Sequence, residues 1–252
     1  MANPSLRIEQ RGTLPDDAKT DAQALHRTLT VQLARLRLPQ PRSIGILLDT
    51  SKGAPDGAEC QSPADGRMQI MIRIGARTDR LKLRHMLAHE LGHVAAGSFN
   101  STRSHGAGLA AEYIAERHAW WLLAATFTLE PAEVAGWEAT EAPSPLHWLA
   151  RARADLAVGR HEYVISAYRL VRSALQRTAF IHARGRSDPL PDLPPVLIAA
   201  LVPLLHDTLN HGQPLPLEAL PGLLATPSVT ARDEAFRHFV RSSLPDAIGV
   251  PT

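Results

Sequence analysis

From Arg67 the chain alternates between apolar and polar positions. Met68, Ile70, Ile72 and Ile74 fall on one side and Gln69, Met71 and Arg73 on the other, the period of two that a half-buried strand requires. A shorter apolar run, Ile44 to Leu48, predicts a second strand, and the Gly- and Pro-containing stretch Thr50 to Gly66 between them predicts a long surface loop. The period then changes. Thr78, with Asp79 behind it, supplies a helix start, Leu83, Leu87, Leu91 and Val94 recur at helical spacing, and Gly97 offers a C-terminal cap. Ahead of the strands, Leu25, Leu29, Leu33 and Leu36 draw the same kind of stripe over Asp16 to Leu38, and Pro39 and Pro41 stop it.

Downstream the pattern is helical throughout. A helix rich in Ala, Leu and Trp is predicted from Leu109 to about Thr126, and Glu130-Pro131 either ends it or opens a shorter one. Ser144-Pro145 starts a helix over Leu146 to Ala157, Gly159 breaks the run, and Glu162 to Phe180 is another helix. The Pro-rich stretch Asp188 to Pro195 reads as a linker. Apolar helices follow around Val196 to Leu209 and Leu217 to Leu224, with a last helix over Ala231 to Leu244 opened by Thr230 and Asp233. The fold class is α+β: a short sheet packed on two long helices, then a mostly α-helical C-terminal extension.

Composition narrows the class. With 252 residues, 44% hydrophobic and 21% charged, the chain can bury a core of its own and is neither disordered nor coiled-coil. Its single cysteine, Cys60, excludes an internal disulfide and a cysteine-based zinc knuckle, so a reducing, cytoplasmic setting is expected and any metal must be held by His and carboxylate. Twelve histidines supply such ligands. The formal net charge of +2 carries no global basic field, and only Lys19, Lys52 and Lys82 among the basic residues are lysines. The segment from Arg151 to Arg186 does carry a local excess of arginine over Asp155 and Glu162, which suits an acidic partner or DNA and equally a solvated helical face. The N-terminus has no apolar core of signal-peptide length, and the longest apolar run, Leu193 to Leu205, is broken by Pro194, Pro195 and Pro203, so no membrane span is expected.

The chemistry concentrates in Leu87-Ala88-His89-Glu90-Leu91-Gly92-His93, an HExxH pattern on the helix that follows the strand. One helical turn separates His89 from His93, so both imidazoles leave the same face and can bind one Zn²⁺. Glu90 is rotated away from that pair, where its carboxylate can serve as general base toward a metal-activated water. A catalytic zinc needs a third protein ligand and an open position. The extended pattern with Gly at 96 and His at 99 is excluded, since the chain has Ala96 and Phe99, and an acidic ligand from the next helix remains, Glu112 or Glu116.

On these residues the chain resembles the ImmA/IrrE family of zinc metallopeptidases. Arg84-His85-Met86-Leu87-Ala88-His89-Glu90-Leu91-Gly92-His93 looks like that family's first motif. Its second motif runs Glu, two variable residues, Ala, then Asp or Asn, with an aromatic-Ala pair after it. Glu112, Ala115 and Ala119 match, while Glu116 stands for the Asp or Asn and His118 for the aromatic. The resemblance implies a zincin-like core, Zn²⁺ as cofactor, Glu112 as third ligand beside His89 and His93, Glu90 as catalytic base, and Glu116 as a group that hydrogen-bonds a ligand, with Glu116 itself as the alternative ligand. It implies a protein substrate, namely a helix-turn-helix repressor, cut or antagonised to switch on genes.

The resulting division is 1–43, an N-terminal helical segment; 44–142, the zincin-like metallopeptidase core; 143–186, a helical, helix-turn-helix-like region; and 187–252, a Pro-rich linker with a C-terminal helical region. The rival functions are a catalytically silent zinc-containing module that binds a partner, and a DNA-binding regulator using the basic helices. His85 and His118 read as supporting or packing residues, and Trp120, Trp121, Trp137 and Trp148 as core. Tyr113, His147, His161, Tyr163 and His182 are the candidates for stabilising an oxyanion. From the strand Arg67 to Gly75, an extended substrate is expected to be bound by strand addition.

Overall fold

The computed structural model describes residues 4–51, 57–61, 66–76, 78–95, 105–142, 144–159, 162–186 and 238–248, together with single positions 193, 195, 197 and 217. The chain forms two compact units, Met1–Ser101 with Ile114–Glu141, and Thr102–Tyr113 with Ala142–Thr252.

The first unit holds the sheet. Strands β1 (Ser5–Arg11), β2 (Ser43–Asp49), β3 (Gly57–Gln61) and β4 (Arg67–Arg73) lie in the order β1-β2-β4-β3. The pairs β1/β2 and β2/β4 are parallel and β3/β4 is antiparallel, so the sheet is mixed and the fold is α+β. Register follows the apolar alternation: Ile44, Ile46 and Leu48 stand opposite Met68, Ile70 and Ile72, and all six side chains are buried. A slip of one residue would turn all three members of a strand to the other face.

Two elements differ from the sequence expectation. The segment 1–43, expected to be helical, contributes β1 before its helix α1 (Ala18–Arg35). Only Leu6 and Ile8 alternate in β1 and both are half-buried at a sheet edge, too weak a signal to mark a strand. The expected loop Thr50 to Gly66 contains β3, whose residues Gly-Ala-Glu-Cys-Gln have low strand propensity and are ordered by pairing to β4. This pairing corrects a functional expectation too. With β2 on one side and β3 on the other, β4 has no open edge to which a peptide could add; the edge on that side belongs to β3.

Helix α1 buries Leu25, Leu29 and Leu33, while Leu36 lies beyond its last residue and is half-buried. Helix α2 (Arg80–Ala95) buries Leu83, Leu87, Leu91 and Val94. Its start is capped by Asp79, whose Oδ1 accepts the Lys82 N–H at 2.7 Å, whereas Thr78 Oγ1 accepts from Gly75 N–H in the preceding turn. Asp21 ties α1 to α2: its buried carboxylate accepts from Arg84 Nε at 2.7 Å and Arg80 Nε at 3.3 Å. Burial alone would raise the Asp21 pKa, and the two guanidinium partners outweigh it and hold the carboxyl below its ordinary range.

Helix α3 (His105–Thr126) belongs to the second unit up to Tyr113 and to the first from Ile114 onward. Helix α4 (Pro131–Thr140) opens on a reciprocal cap between Glu130 and Glu133, the shorter-helix alternative for Glu130-Pro131. In the second unit, α5 (Pro145–Ala157) and α6 (Glu162–Ala183) pack together, and buried Asp155 accepts from Ser166 Oγ and Arg151 Nε. Tyr163 Oη donates to the Val240 carbonyl in a π-helical turn, Phe239–Ser243, that leads into α7 (Leu244–Ile248). The expected cap Gly97 and the helices around Val196 to Leu209 and Leu217 to Leu224 lie outside the described residues, apart from Leu197 and Leu217, as does Ala231 to Arg237 of the last helix. Among the described residues no helix is long and apolar enough to cross a membrane.

Candidate metal centre

The last two turns of α2 carry His89, Glu90 and His93. One potential ligand atom from each lies within 4.8 Å of the others. The two imidazoles meet edge-on, with centroids 5.0 Å apart, as residues four apart on a helix can. His89 and Glu90 are buried and His93 is half-buried.

A single glycine sets what faces this group. At Gly92, inside the motif, a Cβ would fall 2.3 Å from the Ala115 carbonyl oxygen and 2.9 Å from its Cα. The absent side chain therefore lets the backbones of α2 and α3 come together at this point. The next residue of α3 is Glu116, and the close approach delivers its carboxylate to His89, with Oε2 at 2.7 Å from Nδ1. Oε1 of the same carboxylate is 2.8 Å from His85 Nε2 and accepts the Trp120 indole N–H at 2.8 Å.

Glu116 is almost wholly buried, at 1% exposure. Burial alone would raise its pKa. The His85 charge and hydrogen bond and then the His89 contacts outweigh it and hold the carboxyl well below the usual carboxylate range. An ionised carboxylate only accepts, so the His89 contact places a proton on Nδ1 and, in the neutral ring, leaves the lone pair on Nε2. That is the tautomer a metal-binding histidine needs, and a carboxylate behind the ring is the usual means of fixing it. Two imidazole nitrogens, with the Glu90 carboxylate beside them, could hold a metal ion without any thiolate.

Glu112 lies one turn ahead of Glu116 on α3 and is described within the second unit. There its Oε2 accepts from Gln176 Nε2 at 2.9 Å and pairs with Arg172 Nη2 at 3.1 Å, both from α6. His118 is fully buried and has no hydrogen-bond partner at either ring nitrogen among the described residues, and burial, with the neighbouring Arg117 charge, takes its pKa down to about 3. It is a neutral packing residue. Among the oxyanion candidates, Tyr113 Oη and His182 Nδ1 are 2.8 Å apart in the second unit, Tyr163 is bonded to Val240, His147 stacks edge-on against Trp148, and His161 lies outside the described residues.

Five participants were not legible as such. Gly92 is a helix-interior glycine, and that anomaly in a helical run is the signal that marks a close approach. Trp120 and Trp137 read as core, yet both face His85, at centroid distances of 5.4 and 4.6 Å. Gln176 and Arg172, the partners of Glu112, come from a helix 60 residues on, and nothing local announces them. The described arginines of the basic segment also have internal partners. Arg151 pairs with Asp155, Arg153 donates to the Ile248 carbonyl, Arg169 lies over Trp148, and Arg177 and Arg184 lie near the Phe180 ring.

No protein-family model matches the chain, and no curated protein matches it.

Proposed function

We propose that the protein is a zinc-dependent endopeptidase with a zincin-like core, cutting a specific regulatory protein. The observation that carries this reading is the His89, Glu90 and His93 group, with His89 and Glu90 buried and the His89 Nδ1 atom bonded to the Glu116 carboxylate. A sheet followed by the helix pair α2 and α3 supports the zincin-like assignment.

His89 and His93 would hold the metal through imidazole nitrogen, with Glu112 as the third ligand that the resemblance implies. A bound zinc supplies a Lewis acid that polarises the scissile carbonyl and makes water acidic enough to lose a proton near neutral pH. Glu90 accepts that proton as the water attacks and passes it to the leaving amine nitrogen. Glu116 holds His89 in its ligating tautomer throughout. The edge of β3 is where an extended peptide can pair with the sheet. The helical region 143–186 is the proposed docking element for a helix-turn-helix repressor, and the single cysteine fits a cytoplasmic setting.

The test is incubation with a candidate helix-turn-helix repressor, with mass spectrometry of the products. Wild type should release fragments that a chelator abolishes, and Glu90→Gln should bind zinc without cutting. Unchanged biological activity of Glu90→Gln would favour the non-cleaving partner-binding module. A DNA-binding regulator draws less support, because Arg151, Arg153 and Arg169, which it would use, have intramolecular partners. Absence of a gel shift at low salt removes it.

A further inference from the structure

The carboxylate behind His89 is itself held. Glu116 Oε1 has two partners, His85 Nε2 and the Trp120 indole N–H, both at 2.8 Å. His85 sits one turn before His89 on α2, and its ring is walled by the Trp137 and Trp120 indoles, which meet each other at 4.7 Å in a T-shaped pair. A carboxylate turns easily about its last torsion, since that torsion has broad minima. Held at Oε2 alone, it would turn about that torsion and let the His89 bond lengthen. Held at both oxygens, it is fixed.

We infer that His85 is a positioning residue for the metal centre, acting through Glu116 to keep His89 Nδ1 bonded and Nε2 aimed at the metal. The inference rests on the metal-centre reading above. The geometry also separates this role from ligation: His85 Nε2 is turned to Glu116, and among the described residues the potential ligand atoms that gather are those of His89, Glu90 and His93. The two indoles explain why a histidine is tolerated here, since they pack the ring faces while its edge reaches the carboxylate.

The experiment measures zinc affinity by competition with a chromophoric chelator, together with the visible absorption of the Co²⁺-substituted protein. His85→Phe keeps a ring between the indoles and removes the hydrogen bond; it should weaken zinc about tenfold, the low end for loss of a partner behind a ligand, and alter the Co²⁺ bands. His85→Gln can still donate to Oε1 and should recover most of the affinity. Wild-type zinc affinity and Co²⁺ spectrum in a folded His85→Phe protein would overturn the inference while leaving the metal centre intact. A wild type that binds no zinc would overturn the metal-centre reading, and this one with it. Nitrogen-15 NMR of wild type provides a test independent of variant folding. It should find protons on His85 Nε2 and His89 Nδ1, and a bare His85 Nε2 would refute the role.

Discussion

Replacing Gly92 by alanine puts one methyl group where the backbones of α2 and α3 meet. The added Cβ would lie 2.3 Å from the Ala115 carbonyl oxygen, against ordinary contact beginning near 3.4 Å, so the helices must part by about 1 Å. The obstacle is backbone and cannot rotate away. Overpacking of this kind costs about 1–3 kcal/mol, and a backbone clash belongs at the upper end. The better helix propensity of alanine returns about 1 kcal/mol, leaving a net loss of about 2 kcal/mol. For a chain of this size that is a fall in Tm of roughly 4–8 °C. Parting the helices also draws Glu116 from His89, stretching a 2.7 Å contact beyond hydrogen-bonding range, so zinc affinity should fall as well. Gly136 is the control. It lies in α4 with nothing within 4 Å of a built Cβ, so Gly136→Ala should gain up to about 1 kcal/mol from propensity alone. Calorimetry on both variants, with chelator competition for zinc, reads the two effects. A Gly92→Ala protein as stable as Gly136→Ala, with unchanged zinc affinity, would refute the close-approach argument.

Further outcomes follow from the same contacts. Glu116→Gln keeps the shape but offers an NH₂ to one side; turned to His89 it forces the proton onto Nε2, and turned to Trp120 it opposes an indole N–H, so chelator competition should read a 10–100-fold loss of zinc affinity, about 1.4–2.8 kcal/mol. Asp21→Asn should cost about 3 kcal/mol in urea unfolding at pH 7, because it leaves the largely buried Arg84 without its anion, while the more exposed Arg80 keeps Asp17. The folded pKa of Asp21 is depressed, so its contribution is complete above the ordinary value near 3.8 and lost as pH falls below it; the gap between wild type and Asp21→Asn should narrow toward pH 3. The His118 pKa is depressed from 6.5 to about 3, so the unfolded chain takes up a proton first and stability falls as pH drops through that window, by about 2 kcal/mol between pH 7 and 5. His118→Leu should remove that share of the acid sensitivity, and a parallel pH profile for the two proteins would contradict it.

The parts of this molecule that were legible in the sequence are those governed by local periodicity. Met68, Ile70 and Ile72 marked β4 because its buried face is wholly apolar, and His89 and His93 marked a shared helix face because four residues make about one turn. Strand β1 and strand β3 were not, since an edge strand needs few apolar residues and takes its order from a neighbour distant in the chain. The same division runs through the site. Glu116 was legible as a candidate beside His89, but its hold on His85 and Trp120 depends on how α2 and α3 approach, which Gly92 decides through what it lacks. Leu36 shows the limit of the stripe itself: it keeps helical spacing after the helix has ended, where the chain reverses at Arg37 with φ of 54°.

The central claim is that α2 presents a metal-binding pair, and the most direct measurement is the metal content of purified protein by mass spectrometry. The account predicts close to one zinc per wild-type chain, retained in Glu90→Gln, lost in His89→Ala and His93→Ala, and reduced in Glu112→Ala. A wild type without zinc after reconstitution, or a His89→Ala protein that keeps it, would contradict the account; equal zinc in Glu112→Ala would remove only the third ligand.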